Sequence, residues 1–306
     1  MKRIETYIPL LLLLVAVISC TDEEKEYQPD LYVSFNPAIT ANTRAQAGEY
    51  PQEVPFAVWL YSLPEKKTWS KYHSNATLLA DKAVVTNNDG CWSNIPAIFW
   101  PHKQNITAFA YSPLDIDADY SHTEGITIEE FDVTSGCYPL FTYPITDISS
   151  RYNGGCIAVP FVSALAKIEF RARSMAQIDT VLHLRSLSLD NVHYKGRFNS
   201  SPRATWTPTD EVISLEFCEE DIPVEVSSQI IGSKMVLPQI ASFPVILVVD
   251  VYDNEGTLVE AGRKIVSRPL ECNWNVGKYY SYTLNITTDS VTFTTDIFDN
   301  YDARNK

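Results

Sequence analysis

The sequence predicts an all-β protein built from antiparallel sheets. Apolar and polar residues alternate with a period of two along several short segments, as expected of strands with one buried face. The composition agrees, because 17 Tyr and 18 Pro accompany only 3 Met and 11 Gly, and aromatic residues favour strands. Frequent turn residues separate the segments, and no long amphipathic helix pattern intervenes, which is typical of antiparallel sandwiches.

The predicted strands follow one another along the whole chain. Residues 31–35 alternate as Leu-Tyr-Val-Ser-Phe, and residues 167–173 alternate charged with apolar side chains, so each segment should keep one face in water. Residues 245–249 are apolar on both faces, which predicts a central, covered strand. Residues 280–286 alternate again. Turns rich in Asn, Asp and Gly are predicted at residues 87–90, 153–155 and 253–256.

The length of the chain predicts two domains, because 306 residues exceed what one small core requires. The Gly154-Gly155 turn is followed by a fresh series of strand patterns. We therefore expect a boundary near residue 158. The N-terminal domain would cover residues 31–158 and the C-terminal domain residues 159–306.

The N-terminus predicts an exported lipoprotein. Lys2 and Arg3 precede an apolar run over residues 8–18, which is too short to span a bilayer as a mature helix. The run ends in Val-Ile-Ser-Cys, which resembles a lipobox. Residues 1–19 are therefore predicted to be a cleaved signal peptide and Cys20 to carry lipid. The alternative is a plain secretory signal, in which Cys20 is an ordinary residue.

Residues 20–30 are predicted to form an acidic tether behind the lipid. Several acyl chains would hold the protein at the outer membrane, since one chain anchors only marginally. The acidic stretch resembles the surface-export signals of Bacteroidetes lipoproteins, although a charge run is also simply a solvated linker. The net charge of −14 would repel phosphate backbones, which argues against nucleic acid as a partner.

The cysteines that remain after Cys20 are odd in number, without close pairs and without histidines at metal-ligand spacing. They are interpreted mostly as buried thiols. One or two disulfides stay open as an alternative, because spacing alone cannot choose partners. The residues concerned are Cys91, Cys137, Cys156, Cys218 and Cys272.

The sequence holds no nucleophile elbow, zinc-protease helix, P-loop or dinucleotide-binding motif, so neither a catalytic residue nor a cofactor is predicted. The histidines are scattered and are interpreted as residues of the surface or of sheet edges. They are His73, His102, His122, His183 and His193.

Two patterns invite a binding interpretation. Asp115, Asp117 and Asp119 open like an EF-hand calcium loop, but Tyr120 then replaces the turn Gly and Ile126 the closing Glu. A solvated acidic loop is therefore favoured, with calcium as a weak alternative and no other metal. The aromatic side chains of Trp92, Phe99 and Trp100 suit sugar stacking, yet the apolar residues between them favour a buried strand.

Several segments stand in an order shared with a known family. In the first half they are Phe35, Thr43-Arg44-Ala45, Phe99-Trp100-Pro101 and Phe109-Ala110-Tyr111-Ser112-Pro113. In the second half they are residues 159–161, 164–168, 187–196, 236–239 and 274–282. Together they resemble the fimbrillin family, the subunits of type V pili and related surface lipoproteins of Bacteroidetes. Ser163 departs from the pattern, since many relatives carry His there.

The resemblance implies two transthyretin-like β-sandwich domains, in agreement with the strand pattern. It also implies strand exchange: a trypsin-like protease cuts after an Arg near the N-terminus, the first strand leaves, and the groove accepts an extended segment from another subunit. Arg44, before Ala45, matches the cleavage position. The alternative is an ordinary exposed loop arginine, and exposed loops are cleavable in any case.

A candidate donor strand lies near the C-terminus, where Val291, Phe293, Thr295 and Ile297 alternate with other residues and give one largely apolar face. Such a face can fill a groove while main-chain hydrogen bonds pair the backbone. The open alternative is that residues 291–298 are simply the last strand of the C-terminal domain.

The predicted function is that of a fimbrial subunit or fimbria-associated surface lipoprotein in adhesion, and not of an enzyme. The expected partners are other fimbrial subunits, a maturation protease, the outer membrane through Cys20, and a host or bacterial surface receptor. The alternative is a non-polymerising surface lipoprotein that binds glycan or a host protein.

Overall fold

The computed structural model describes residues 31–40, 48–150, 153–218 and 220–298, which belong to a single compact unit beginning at Leu31. Eleven strands make up the first part of this described chain: β1 (Ser34–Ile39), β2 (Gly48–Glu49), β3 (Phe56–Pro64), β4 (Thr77–Asn88), β5 (Cys91–Asn94), β6 (Gln104–Ser112), β7 (Asp119–Ser121), β8 (Gly125–Asp132), β9 (Leu140–Phe141), β10 (Ile145–Ser149) and β11 (Cys156–Ser163).

Thirteen strands follow in the second part of the described chain: β12 (Ala166–Ser174), β13 (Thr180–His193), β14 (Lys195–Asn199), β15 (Thr205–Pro208), β16 (Val212–Cys218), β17 (Ile222–Val224), β18 (Gln229–Val236), β19 (Ile240–Phe243), β20 (Val245–Asp253), β21 (Leu258–Val266), β22 (Leu270–Asn273), β23 (Tyr279–Ile286) and β24 (Val291–Phe298). One α-helix, α1 (Trp69–Tyr72), and three 3-10 turns (His73–Asn75, Val133–Ser135 and Asn153–Gly155) complete the described elements. The all-β prediction is confirmed.

The strands of the first part form a sheet that closes on itself. Their order is β10-β6-β3-β4-β5-β1-β11-β9, with β2 attached to β1, and β9 pairs with β6 as well as with β11. Because β9 has both neighbours, the strands from β6 around to β9 form a ring. A hydrophobic core drawn from β1, β3, β5, β6 and β11 lies against this sheet.

β3 shows how one strand serves two cores. Phe56, Val58 and Leu60 belong to the core of the closed sheet. Ala57 and Trp59 point to the opposite face, as alternation along a strand requires, and join a second core. That second core is covered by a four-stranded sheet of order β15-β14-β8-β7, which takes two strands from each part of the chain.

The second part of the chain forms a sandwich of two sheets around a third core. One sheet has the order β18-β12-β23-β24, and the other has the order β16-β13-β20-β21 with β17 also on β13. The two small strands β19 and β22 pair with each other. The sheet edge that bears β24 is the one that concerns function below.

Residue 158, where the sequence analysis divides the chain, lies within β11. This strand pairs with β1 and β9 of the closed sheet, which therefore extends to Ser163. The division into two domains stays a prediction.

The predicted turns at residues 87–90 and 253–256 are present. The first joins β4 to β5 with Asp89 at φ 50° and Gly90 at φ 85°, which is the left-handed backbone expected of a tight hairpin. The second joins β20 to β21 with Gly256 at φ 81°. Asn, Asp and Gly tolerate this region best, and their clusters therefore located the hairpins from sequence.

The prediction that residues 167–173 keep one wet face is wrong at its beginning. Lys167 is 8% exposed and Glu169 is 6% exposed, because side chains of the neighbouring strand β23 lie beside them on the same face of the sheet. Glu169 Oε1 accepts hydrogen bonds from Arg171 at 3.4 Å and from Ser281 at 3.3 Å. These partners offset the cost of burying a charge.

Candidate functional site

β1 occupies a slot between β5 and β11 in the closed sheet. It runs parallel to β11 through six residue pairs, from Ser34 opposite Cys156 to Ile39 opposite Phe161. On its other side it meets β5 at a single pair, Phe35 opposite Trp92. β1 is thus an integral strand with neighbours on both sides, and its departure would leave β11 with an unpaired edge.

The inward face of β1 is apolar and closely covered. Val33, which directly precedes β1, is 1% exposed, Phe35 is 3% exposed, and Pro37 is buried as well. The ring of Phe35 meets the ring of Phe56 edge-on at a centroid distance of 5.9 Å. Burial of the first two side chains alone is worth about 3–6 kcal/mol.

The slot beneath β1 is lined by aromatic and aliphatic side chains, which we call the β1 groove: Tyr50, Phe56, Trp92, Ile157, Val159 and Phe161. The aromatic members pack on one another. Tyr50 stacks on Phe161 at 5.0 Å and meets Trp92 edge-on at 5.5 Å. Phe56 lies 5.3 Å from Phe161. All these residues follow position 44 in the chain and would remain after a cut there.

Tyr50 fixes one wall of the β1 groove. Its phenol lies 2.6 Å from the Ser112 hydroxyl, and burial raises its pKa to about 12 although that hydrogen bond acts in the opposite direction. The side chain is therefore neutral at physiological pH. No charge from this residue opposes apolar contacts in the groove.

β1 pairs with β2, and the predicted cleavage position lies between these two strands in the sequence. Ile39 pairs with Gly48 and Ala38 pairs with Glu49, so the two strands form an antiparallel hairpin. Thr40 donates its backbone N–H to the Phe161 carbonyl at 2.8 Å. Residues 41–47, including Arg44 and Ala45, lie outside the described residues, as does the predicted lipidation site Cys20.

The candidate donor strand β24 is paired within its own chain. All eight of its residues pair with β23, from Tyr279 opposite Phe298 to Ile286 opposite Val291, and β24 is the edge of its sheet. Its inward face becomes more exposed to solvent toward the C-terminal end of the strand. Val291 is 8% exposed, whereas Ile297 is 63% exposed. The second half of this strand therefore contributes little to the core.

Comparison with known proteins identifies the family. A model of the fimbrillin-like family matches residues 43–299, which is most of the chain. The chain belongs to the fimbrillin-like family. The family resemblance predicted from sequence is confirmed, and membership agrees with the prediction that the protein is not an enzyme.

Solved structures show the same fold. A fimbrial protein from Bacteroides vulgatus is similar over 88% of this chain and 99% of its own length, with a TM-score of 0.66 and 16% identity. A candidate cell adhesion protein from Bacteroides ovatus is similar over 90% of this chain and 98% of its own length, with a TM-score of 0.54 and 15% identity. No curated protein matches this fimbrillin-like chain. Family membership supports a fimbrial or adhesin role at the cell surface, in contact with other fimbrial proteins.

The three aspartates considered for calcium point outward from this fimbrillin-like fold. Asp115, Asp117 and Asp119 are exposed and alternate with the buried Ile116 and Ala118. Asp117 forms an ion pair with a lysine at 3.2 Å. Among the described residues, no group of three or more His, Cys, Asp or Glu side chains is placed to hold a metal ion.

The three aromatic residues considered for sugar stacking are divided between core and surface. Trp92 is buried in the β1 groove at 5% exposure, as the strand interpretation predicts. Phe99 is 46% exposed and is not part of a buried strand, so that interpretation is wrong for this residue. Trp100 is half-buried and donates its indole N–H to the Gly155 carbonyl at 3.0 Å.

Two histidines that are distant in sequence meet in an aromatic cluster. The rings of His73 and His122 lie 5.8 Å apart, and the ring of Trp69 lies within 5.9 Å of each. Burial lowers the pKa of His122, and the nearby His73 lowers it further. Sequence spacing could not reveal this pair, because β7 and the α1 region are brought together only by the tertiary fold.

The cysteines differ from the prediction of mostly buried thiols. No disulfide joins any two of those that the structure describes, and only Cys218 and Cys272 among them are buried. Cys91 is exposed at the start of β5. Within the described residues no helix has the length and apolar character needed to cross a membrane.

Proposed function

We propose that the protein is a fimbrial subunit precursor that assembles by β-strand exchange after its N-terminal strand is removed. The observation that carries the proposal is the position of β1, which fills a slot between β5 and β11 and leads directly into the segment containing Arg44. A cut after Arg44 would separate β1 from every residue that lines the β1 groove. Strand removal and groove formation would then be one event.

The β1 groove has the chemistry needed to accept another chain. Departure of β1 would leave backbone N–H and C=O groups of β11 without partners and would uncover Ile157, Val159 and Phe161. An incoming strand with alternating apolar side chains satisfies both demands, because its backbone pairs with β11 and its side chains fill the groove. Tyr50 follows the cut by only a few residues and would hold the new N-terminus against the groove.

β24 is the candidate donor of that strand. As an edge strand it has one paired neighbour, so its release exposes fewer backbone groups than the release of an internal strand. Val291, Phe293 and Ile297 offer two aliphatic side chains and one aromatic side chain on one face. They are similar in character to Phe35 of β1 and to Val33, which directly precedes β1. Thr295 occupies the remaining position on that face.

The membrane part of the proposal is that Cys20 carries lipid and holds the precursor at the outer membrane until cleavage. The same cut after Arg44 would then separate the subunit from its lipid. A trypsin-like maturation protease, neighbouring fimbrial subunits and a surface receptor are the proposed partners. The two domains implied by the family resemblance remain part of this proposal.

A second candidate is a non-polymerising surface lipoprotein that binds glycan or a host protein. It is favoured by one observation, which is that β24 pairs with β23 along its full length. In this case the strand completes its own sheet and is not available for donation. Arg44 would be a loop residue without a role in assembly.

The experiment is limited digestion of residues 21–306 with an arginine-specific protease. Intact mass would report the cut, and a denaturing gel run without boiling would report assembly. The proposal predicts loss of the segment that ends at Arg44 together with a ladder of oligomers. A cut protein that stays monomeric at high concentration would favour the second candidate.

Two variants control this experiment. Arg44→Gln should remain uncut and monomeric. Arg44→Lys keeps the positive charge but resists the arginine-specific protease, so it should behave like Arg44→Gln if cleavage, and not charge, governs assembly. A ladder formed by either uncut variant would contradict the proposal.

A further inference from the structure

An exposed apolar patch surrounds the point at which the described chain begins. Leu31 is 36% exposed, Tyr32 is 56% exposed and Phe99 is 46% exposed. We call these three residues, with the half-buried Trp100, the entry patch. Large apolar side chains gathered on a surface mark an interaction site more often than scattered ones do.

The entry patch is held in place by its backbone. Tyr32 and Phe99 form an isolated antiparallel bridge, and their rings lie 4.7 Å apart. Trp100 donates its backbone N–H to the Leu31 carbonyl at 2.9 Å. The side chains of Leu31 and Trp100 lie so close to Gly155 that a β-carbon at that position would overlap both. Backbone hydrogen bonds and close side-chain packing therefore fix the conformation of the patch.

The chemistry of the entry patch suits hydrocarbon better than sugar. All four side chains are aliphatic or aromatic, and the Trp100 indole N–H is already bonded to the Gly155 carbonyl. A sugar site needs several polar groups that converge on the ligand in addition to an aromatic face. Tyr and Trp, in contrast, are enriched where proteins meet the interface of a lipid bilayer.

The position of the entry patch supplies the second argument. Leu31 directly follows residues 20–30, the predicted tether behind the lipid. Even fully extended, that tether reaches at most about 40 Å. A tethered surface meets the membrane at a high effective concentration, so modest apolar contacts are enough to dock it.

We infer that the entry patch docks the uncut precursor on the lipid surface of the outer membrane. This inference rests on the proposed lipidation of Cys20. It adds a consequence to the proposed cleavage, because a cut after Arg44 removes Leu31 and Tyr32 together with the lipid. Only Phe99 and Trp100 would remain on the body, so docking would weaken when the subunit matures.

The test uses residues 21–306 with an N-terminal hexahistidine tag, held on phosphatidylcholine vesicles that contain nickel-chelating lipid and acyl chains brominated near the carbonyl end. Bromine quenches only tryptophan that enters the bilayer. Trp100 is the natural reporter, because each of the other five tryptophans is at most 9% exposed. We expect quenching of the tryptophan fluorescence in the wild type and its loss in Trp100→Phe. In Tyr32→Ser/Phe99→Ser we expect the quenching to fall by about tenfold.

The matched control is Ile178→Ser/Ile240→Ser, which removes two apolar side chains that are 98% and 81% exposed outside the patch. It should quench like the wild type. Equal quenching in the Tyr32/Phe99 variant, or none in the wild type, would overturn the inference. An unquenched wild type whose fluorescence shifts on addition of oligosaccharide would assign the patch to sugar instead.

The tag replaces the lipid, so this result does not depend on modification of Cys20 or on strand exchange. Incorporation of labelled palmitate into wild type and Cys20→Ala in a bacterial host tests lipidation separately. Docking without palmitate incorporation would support the entry patch and contradict the proposed lipid anchor at Cys20. Palmitate incorporation without docking would support the anchor and contradict the inference about the entry patch.

Discussion

Replacing Phe35 with Ala should destabilise the uncut protein and leave the cut, assembled protein unchanged. Phe35 lies on β1, is 3% exposed and meets the ring of Phe56 at 5.9 Å. Truncation of a buried Phe to Ala costs about 3–5 kcal/mol of unfolding free energy, because transfer energy is lost and a cavity is left behind. In the assembled form β1 has gone and the substituted residue is no longer part of the molecule.

The assay is urea unfolding of both forms, followed by far-ultraviolet circular dichroism. Phe56→Ala is the matched control, since Phe56 is fully buried in the same cluster but lies after the cut and stays in the body. It should lower the unfolding free energy of both forms by a similar amount. The reasoning is refuted if Phe35→Ala also destabilises the cut form, or if it changes the uncut form by less than about 1 kcal/mol.

Three further predictions concern the rest of the chain. The exposed Cys91 should react with a thiol reagent in the native protein, whereas Cys272 should not until urea unfolds it, because burial raises the pKa of its thiol to about 12; rapid native labelling of Cys272, read by peptide mass, would contradict this. The pKa of His122 is lowered by burial and by a neighbouring imidazole. Its contribution to the free energy of unfolding is therefore complete above the unfolded pKa of about 6.5 and is lost as pH falls below that value. His122→Gln should make the free energy of unfolding, measured by urea titration, fall less steeply with decreasing pH, and an unchanged pH dependence would contradict this prediction. Gly256→Ala should lower the free energy of unfolding by about 1–2 kcal/mol, because of its left-handed backbone alone. Gly125→Ala should lower it by more, because a methyl group would also overlap a seryl hydroxyl. Equal melting temperatures of the two variants would contradict the close contact at Gly125.

The sequence predicted those parts of the fold that depend on neighbouring residues. The hairpin at Asp89 and Gly90 follows from local backbone preferences, and β1 and β24 follow from alternation over a few residues. The family, and with it the sandwich architecture, followed from the order of several short segments. Each of these signals is complete within a short stretch of chain.

The features that the sequence did not predict depend on contacts between distant residues. The closed sheet requires the two-residue strand β9 to pair with β6, where Tyr111 lies opposite Phe141, and so short a strand has no alternation to detect. The burial of Lys167 depends on strands that flank β12 only in the folded chain. Phe99 is exposed and forms a bridge with Tyr32, a partner that no spacing within residues 92–100 could indicate.

The candidate site was predictable in its parts but not in its arrangement. Arg44 and the alternating residues 291–298 could be named from sequence and family resemblance. The slot that β1 fills could not, because it is made by parallel pairing between segments more than a hundred residues apart. Its aromatic lining was visible only as separate Tyr, Phe and Trp residues in unrelated stretches.

Hydrogen exchange of the β11 amides tests the central claim most directly. The uncut protein should protect them because β1 covers that edge, the cut protein kept dilute enough to stay monomeric should lose that protection, and the assembled protein should regain it. Protection that persists in the cut monomer would mean that β1 has not left, and amides that exchange rapidly in the assembly would mean that no strand has replaced it.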